Sequence, residues 1–162
     1  MSFLKTLFLG AVLVALSSGS AFASCFGPAE YEAEQGLRIH SELMVIGLTC
    51  QKMPGGGTLY RKYQTFTTKN QDLIAGYEEH LISFYRQEGD SQPEGELNTL
   101  RTVLANQIST HAVQMSMTSF CQHFSSRIDK ALGMNEGTLR KWARQEWPNI
   151  QTSRPRCSRR SY

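Results

Sequence analysis

Four cysteines constrain the fold of this chain most strongly, because its N-terminus indicates that they reach an oxidising compartment. Lys5 precedes an apolar run over residues 7–16, and Ala-Phe-Ala at 21–23 supplies small residues at a cleavage position. This order is typical of a secretory signal peptide over residues 1–23, with a mature chain that begins at Ser24. Thiols outside the cytosol are usually oxidised, so we expect two disulfides among Cys25, Cys50, Cys121 and Cys157.

A second export route would use the first of these cysteines. Residues 22–25 read Phe-Ala-Ser-Cys, which is similar to the lipobox at which a lipid-modifying pathway acylates a cysteine. An acylated Cys25 cannot form a disulfide, and three thiols would then remain in an oxidising compartment. The sequence therefore predicts a periplasmic or secreted protein, and a lipoprotein anchored through Cys25 is the alternative.

The mature chain is long enough for one domain with its own core, and its charge is unevenly distributed. No stretch after the signal approaches the roughly 18–20 apolar residues that cross a bilayer, so we expect no transmembrane segment. Residues 24–137 carry 9 Lys or Arg against 13 Asp or Glu, whereas residues 138–162 carry 7 against Glu146 alone. The basic C-terminus therefore either binds an anionic surface or folds back on the acidic body.

Hydrophobic periodicity predicts an all-α chain, with no alternating pattern that would favour strands. The predicted helices cover about 28–51, 58–87, 92–132 and 136–147. In the third helix a break is expected between residues 110 and 119, where Ser and Thr are frequent. The sequence thus predicts an antiparallel bundle of three to four helices over 24–147, followed by an irregular basic tail over 148–162 that Cys157 tethers.

Short connections make consecutive helices antiparallel, and this assigns the cysteines to the two ends of the bundle. At about 1.5 Å per residue, Cys50 lies roughly 33 Å along the first helix and Cys121 roughly 40 Å along the third, so both lie near one end. Cys25 lies at the opposite end, toward which the fourth helix returns Cys157. We therefore predict the pairs Cys50–Cys121 and Cys25–Cys157, one of the three pairings that four cysteines allow.

Motifs for metals and cofactors are missing from the sequence. It contains no C-x-x-C, and no histidine has the Glu-x-x-His spacing of di-iron bundles, so we expect no metal and no cofactor. His111 lies in the predicted apolar seam of the third helix, where it could act as an acid–base group, with Glu42 on the first helix as its carboxylate partner. The alternative is a structural histidine at the edge of the core. Asn70, in the seam of the second helix, is predicted to fix the helix register.

Four segments carry a resemblance to known proteins. They are FGPAE at 26–30, IHSELMVIGLTC at 39–50, TLRTVLAN at 99–106 and FC at 120–121. These segments resemble small exported helical proteins of alphaproteobacteria, a family with no established function. The resemblance covers the first helix and much of the third, and it implies a periplasmic or secreted setting without any catalytic residues to transfer.

The basic tail supplies the first functional hypothesis. Its arginines can pair with phosphate or carboxylate groups, namely Arg154, Arg156, Arg159 and Arg160. The sequence therefore favours an exported, non-enzymatic protein that binds an anionic envelope component or a protein partner, and no nucleic acid. The alternatives are a small periplasmic hydrolase or a small-ligand carrier that uses a polar site around His111. A cavity between helices would favour the carrier.

Overall fold

The computed structural model describes residues 25–147 and 150–158, so the predicted signal peptide at 1–23 lies outside the described residues. The helices are α1 Pro28–Cys50, α2 Leu59–Lys69, α3 Gln71–Gln87, α4 Pro93–Met115, α5 Met117–Phe124, α6 Ser126–Leu132 and α7 Glu136–Ala143. Within the described ranges the only β-structure is a single parallel bridge between Phe26 and Arg156. The predicted fold class, an all-α bundle with two disulfides and an irregular C-terminal tail, is confirmed.

Helix α1 lies at the centre of the bundle and packs against every other helix. It begins at Pro28, whose fixed φ suits the first helical turn. Its buried side chains extend along almost the whole helix, from Tyr31 to Cys50. Gly36 allows the closest approach, because a Cβ there would lie 2.2 Å from the ring of Tyr77 on α3. A larger residue at this position would push the two helices apart.

The predicted helix over 58–87 is divided into α2 and α3 at Asn70. Asn70 has φ −114° and ψ 19°, outside the helical region, and its side chain is buried. The Nδ2 atom of Asn70 donates a hydrogen bond of 2.8 Å to the carbonyl of Phe66, four residues earlier. Asn70 therefore ends one helix and precedes the next, instead of fixing the register within a continuous helix as predicted. Local side-chain bonding to the backbone competes here with helix propagation.

The break expected in the third helix occurs at Ser116, between α4 and α5. Ser116 has a positive φ of 69°, a conformation that L-residues rarely adopt. Its Oγ accepts a hydrogen bond of 3.4 Å from the backbone of Ser119, which caps α5. The last helix is capped by Asn135, whose Oδ1 accepts from the amide of Thr138 at 2.9 Å. That helix ends at Ala143, short of the predicted residue 147.

Both predicted disulfides are confirmed. Cys25 pairs with Cys157 and Cys50 pairs with Cys121, with Cα–Cα distances of 5.0 and 5.5 Å. The first disulfide lies beside a short backbone pairing, in which Phe26 donates to Pro155 at 2.8 Å and accepts from Cys157 at 2.9 Å. The C-terminal segment is thereby attached to the start of α1.

Two buried carboxylates near the start of α1 hold the C-terminal part of the chain against the bundle. Glu32 accepts hydrogen bonds from Arg140 at 2.9 Å and from Arg144 at 2.5 Å, which positions α7. Burial alone would raise the pKa of Glu32, but the hydrogen bonds from these arginines outweigh it and lower the pKa. Glu34 is fully buried and accepts from the backbone amide of Ser153 at 3.0 Å, which positions the segment 150–158.

Candidate functional site: a cleft between α1, α4 and α5

One face of α1 forms the floor of a cleft with a volume of about 450 Å³. Gln35, Arg38, Ile39 and Glu42 follow one another at spacings of three, one and three residues, which places them on one helix face. Opposite them lie residues of α4, α5 and α6, and the segment around Ile150 closes one side. The remaining lining residues are Gln107, Ile108, His111, Phe120, Phe124, Arg127, Trp147, Ile150 and Gln151. The cleft therefore combines apolar walls with polar groups on the α1 floor.

Gln35 is the most unusual residue of this floor. Its side chain is 1% exposed, and neither Oε1 nor Nε2 has a hydrogen-bonding partner within the described residues. Buried amide groups are normally paired, because an unpaired one loses its bonds to water without replacement. The two atoms are an acceptor and a donor, whichever way the amide is turned. The amide of Gln35 is thus an unpaired donor and acceptor buried beneath the floor of the cleft.

Arg38 lies one turn further along α1 and is mostly engaged with neighbouring groups. Its Nη1 donates to Gln107 at 3.2 Å and its Nη2 to the carbonyl of Gln151 at 3.1 Å, so it connects two walls of the cleft. Nη2 also lies 3.7 Å from Glu34. Burial lowers the pKa of Arg38, and the carboxylates of Glu34 and Glu42 act in the opposite direction. The Nε atom is buried and has no partner among the described residues.

Glu42 and Arg127 form an ion pair at the other end of the floor. Arg127 Nη1 lies 2.7 Å from Glu42 Oε1, and the guanidinium is placed over the ring of Trp147 at 5.5 Å. Burial raises the pKa of Glu42, whereas the charges of Arg127 and Arg38 act to lower it. The carboxylate is thus held by a cation, and its pKa is raised overall because burial outweighs the two arginines.

His111, the sequence's catalytic candidate, lies at the rim of the same cleft. The structure brings His111 and Glu42 to one site, as the sequence hypothesis required, but no hydrogen bond joins them in the described parts of the chain. His111 is exposed and contacts the ring of Phe124 edge-on, with centroids 6.1 Å apart. The predicted apolar seam is wrong at this position, because the buried residue at this point of α4 is Ala112.

The described arginines of the tail are engaged with the body of the protein. Arg154 pairs with Glu96 at 3.1 Å, and Arg156 pairs with Glu146 at 2.7 Å. The Arg156 guanidinium also lies over the ring of Tyr31, 4.3 Å from its centroid. The tail thus folds back on the acidic body over 150–158. Arg159 and Arg160, which belong to the predicted anion-binding set, lie outside the described residues.

Metal ligation and membrane insertion are two other functions that side chains or helices could indicate. Across residues 25–147 and 150–158, no group of three or more His, Cys, Asp or Glu side chains is arranged to hold a metal ion. None of the described helices has the length and apolar character needed to span a bilayer. The polar floor of the cleft is therefore the arrangement on which a function can be argued.

Sequence reasoning identified His111 and Glu42 but missed Gln35, Arg38 and Arg127. The available signal was the polar stripe at 35, 38 and 42, which adjoins the apolar stripe of Ile39 and Leu43 on the same helix. Such a stripe normally faces solvent on a peripheral helix. Because α1 is central, this stripe faces the cleft instead.

Comparisons with known proteins add no relative to this picture. No family model, no curated protein and no solved structure matches the chain. The resemblance to small exported proteins of alphaproteobacteria therefore stays a prediction. A functional assignment has to be drawn from the chemistry of the cleft.

Proposed function

We propose that this is an exported, non-enzymatic protein that binds a small organic molecule in the cleft between α1, α4 and α5. The observation that carries the proposal is a cleft of about 450 Å³ that combines apolar walls with polar side chains on its α1 floor. Ligand sites are typically concave and mainly apolar, with a few polar groups that orient the ligand. This is the small-ligand carrier among the sequence hypotheses.

Export is supported by the oxidation state of the chain. Two disulfides join all four cysteines, which is usual in the periplasm or outside the cell and rare in the cytosol. The disulfide of Cys25 also uses the sulfur atom that a lipid anchor would need. A periplasmic or secreted protein without an acyl group on Cys25 is therefore the form that we propose.

Binding is favoured over hydrolysis by the state of the polar groups. Glu42 is paired with Arg127 at 2.7 Å, and His111 is not hydrogen-bonded to a carboxylate in the described chain. A catalytic histidine usually needs such a partner to orient it, and a nucleophile within hydrogen-bonding reach. No Ser, Thr or Cys is among the residues that line the cleft.

The cleft is favoured over the basic tail for a similar reason. Arg154 and Arg156 already have carboxylate partners within the chain, so an anionic surface would have to displace them. Exposed ion pairs are weak, and the tail hypothesis stays a prediction for an envelope surface or protein partner. The cleft, in contrast, is concave and is lined by apolar side chains together with polar ones.

Titration with the neutral fluorescent probe 1-aminoanthracene tests the proposed function. We expect saturable fluorescence enhancement with one site per chain. Ile108→Trp, which fills the cleft from α4, should abolish it, whereas the control Val103→Trp, at an exposed position of the same helix, should retain it. Circular dichroism checks that both variants are folded. Absence of saturable binding, or binding that Ile108→Trp leaves unchanged, would contradict the proposal.

A further inference from the structure

We propose that the disulfide between Cys25 and Cys157 is a redox modification site, and that its reduction by a dithiol releases one wall of the cleft together with the bound molecule. This regulation rests on the proposed function of the cleft. Three observations support it: the C-terminal segment supplies part of the wall, the disulfide is the covalent anchor of that segment, and the two disulfides differ in exposure.

The C-terminal segment over 150–158 closes one side of the cleft. Ile150 and Gln151 line it, and the carbonyl of Gln151 accepts a hydrogen bond of 3.1 Å from Arg38 on the α1 floor. The segment contains no helix, and its only β-structure is the single bridge at Arg156. Its own secondary structure therefore does not fix this wall in place. Movement of the segment away from α1 would open the cleft on this side.

The other contacts that hold this segment against the bundle are noncovalent. The backbone amide of Ser153 donates to the buried Glu34 at 3.0 Å, and Arg154 and Arg156 form ion pairs between partly exposed side chains. Exposed ion pairs contribute little, and residues near a chain end lose order readily when they are not tied down. The disulfide to Cys25 thus anchors the wall to the start of α1, the helix that carries the floor.

The two disulfides differ in how easily a reductant can reach them. Cys157 is exposed and Cys25 is partly buried, whereas Cys50 and Cys121 are 0% and 6% exposed. Thiol–disulfide exchange requires a thiolate to approach a sulfur atom, so its rate depends on access. A dithiol should therefore reduce the disulfide at the C-terminal segment first. The buried disulfide between α1 and α5 then keeps the bundle covalently joined while the wall is released.

The exchange consumes one dithiol for each disulfide that it opens. A thiolate of the dithiol attacks the Sγ atom of Cys157, which breaks the bond to Cys25 and forms a mixed disulfide with the reductant. The sulfur of Cys25 leaves as a thiolate and takes up a proton. The second thiolate of the dithiol then attacks the reductant's sulfur in the mixed disulfide, and Cys157 leaves and is protonated in turn. Two electrons pass to the protein, and the dithiol is left as a disulfide.

Limited treatment of the oxidised protein with dithiothreitol tests the order of reduction. Alkylation with iodoacetamide followed by peptide mapping should find label on Cys25 and Cys157, while Cys50 and Cys121 remain joined. Circular dichroism should show that the helices are retained. Earlier labelling of Cys50 and Cys121, or a loss of helical signal once Cys25–Cys157 is reduced, would overturn the proposal, because the release would then not be local to the segment.

Titration with 1-aminoanthracene compares the oxidised protein with the selectively reduced protein. The reduced form should bind about tenfold more weakly, as the loss of one apolar wall residue would give. Ile150→Ala shortens the wall with both disulfides intact, so it should bind more weakly before reduction, and reduction should then change its dissociation constant by less than about threefold. The matched control Val113→Ala, at an exposed position of α4 outside the cleft, should bind and respond to reduction like the wild type.

The outcomes separate this regulation from the proposed function. If 1-aminoanthracene binds both redox forms with dissociation constants within about twofold, the disulfide does not control the cleft, and the cleft remains a binding site. The same holds if Ile150→Ala keeps the full response to reduction. If 1-aminoanthracene shows no saturable binding to the oxidised protein, the proposed function fails and its regulation fails with it. Ile150→Ala leaves both disulfides in place, so it tests the wall even without the reduced form.

Discussion

Replacing Gln35 by Met should stabilise the protein, although it removes a buried polar residue. The side chain is 1% exposed, and both of its polar atoms lack partners in the described chain. An unpaired buried amide costs about 1–3 kcal/mol, and Met has a similar length without this cost. We take the lower part of that range. The expected gain in the free energy of unfolding is about 1–2 kcal/mol.

Urea unfolding followed by circular dichroism, with the disulfides intact, measures this gain. The matched control is Gln64→Met, an exposed position on α2, which should change the free energy of unfolding by less than about 0.5 kcal/mol. A loss of about 1 kcal/mol or more in Gln35→Met alone would refute the reasoning, since it would mean that the amide of Gln35 makes hydrogen bonds that stabilise the fold. The expected gain is typical of a position kept for binding at a cost in stability.

Three further predictions concern the fold. Cys25→Ser combined with Cys157→Ser should lower the free energy of unfolding, measured in urea, by roughly 4 kcal/mol, because the disulfide joins residues that are 132 apart in sequence. A loss below about 1 kcal/mol would contradict a tethering role for this disulfide. Ser116→Gly should raise the free energy of unfolding by about 1 kcal/mol, because glycine adopts a positive φ without strain. Ser116→Ala keeps the strain and should not raise the free energy of unfolding. Burial lowers the pKa of His40 to about 4, and the charge of Arg101 acts in the same direction. As the pH falls below about 6.5, His40 is therefore protonated in the unfolded state before it is protonated in the folded state. The free energy of unfolding should consequently be about 2 kcal/mol lower at pH 5 than at pH 7.5. Comparison with His40→Gln isolates this contribution, and an equal pH dependence in the variant would contradict it.

The disulfide pairing could be predicted from the sequence because it depends on few quantities. Helix rise and short connections place Cys50 and Cys121 at one end of the bundle, and these features do not require side-chain detail. The cap at Asn135 and the break near Ser116 were predictable for a related reason, since both depend on local chemistry. The resemblance to exported proteins was not needed for any of these conclusions.

The division at Asn70 and the floor of the cleft could not be predicted in the same way. Asn70 stands at a position where helical periodicity continues, and its backbone angles, together with its hydrogen bond to Phe66, show that the backbone leaves the helix there. Gln35 and Arg38 look like surface residues until α1 is known to be surrounded by the other helices. Tertiary packing, rather than local preference, decides both features.

Intermolecular NOEs between 1-aminoanthracene and the isotope-labelled protein test the central claim most directly, namely that the cleft between α1, α4 and α5 binds a small organic molecule. The account predicts contacts from the rings of the bound molecule to Phe124 and Ile108. Contacts confined to residues outside the cleft would contradict the account.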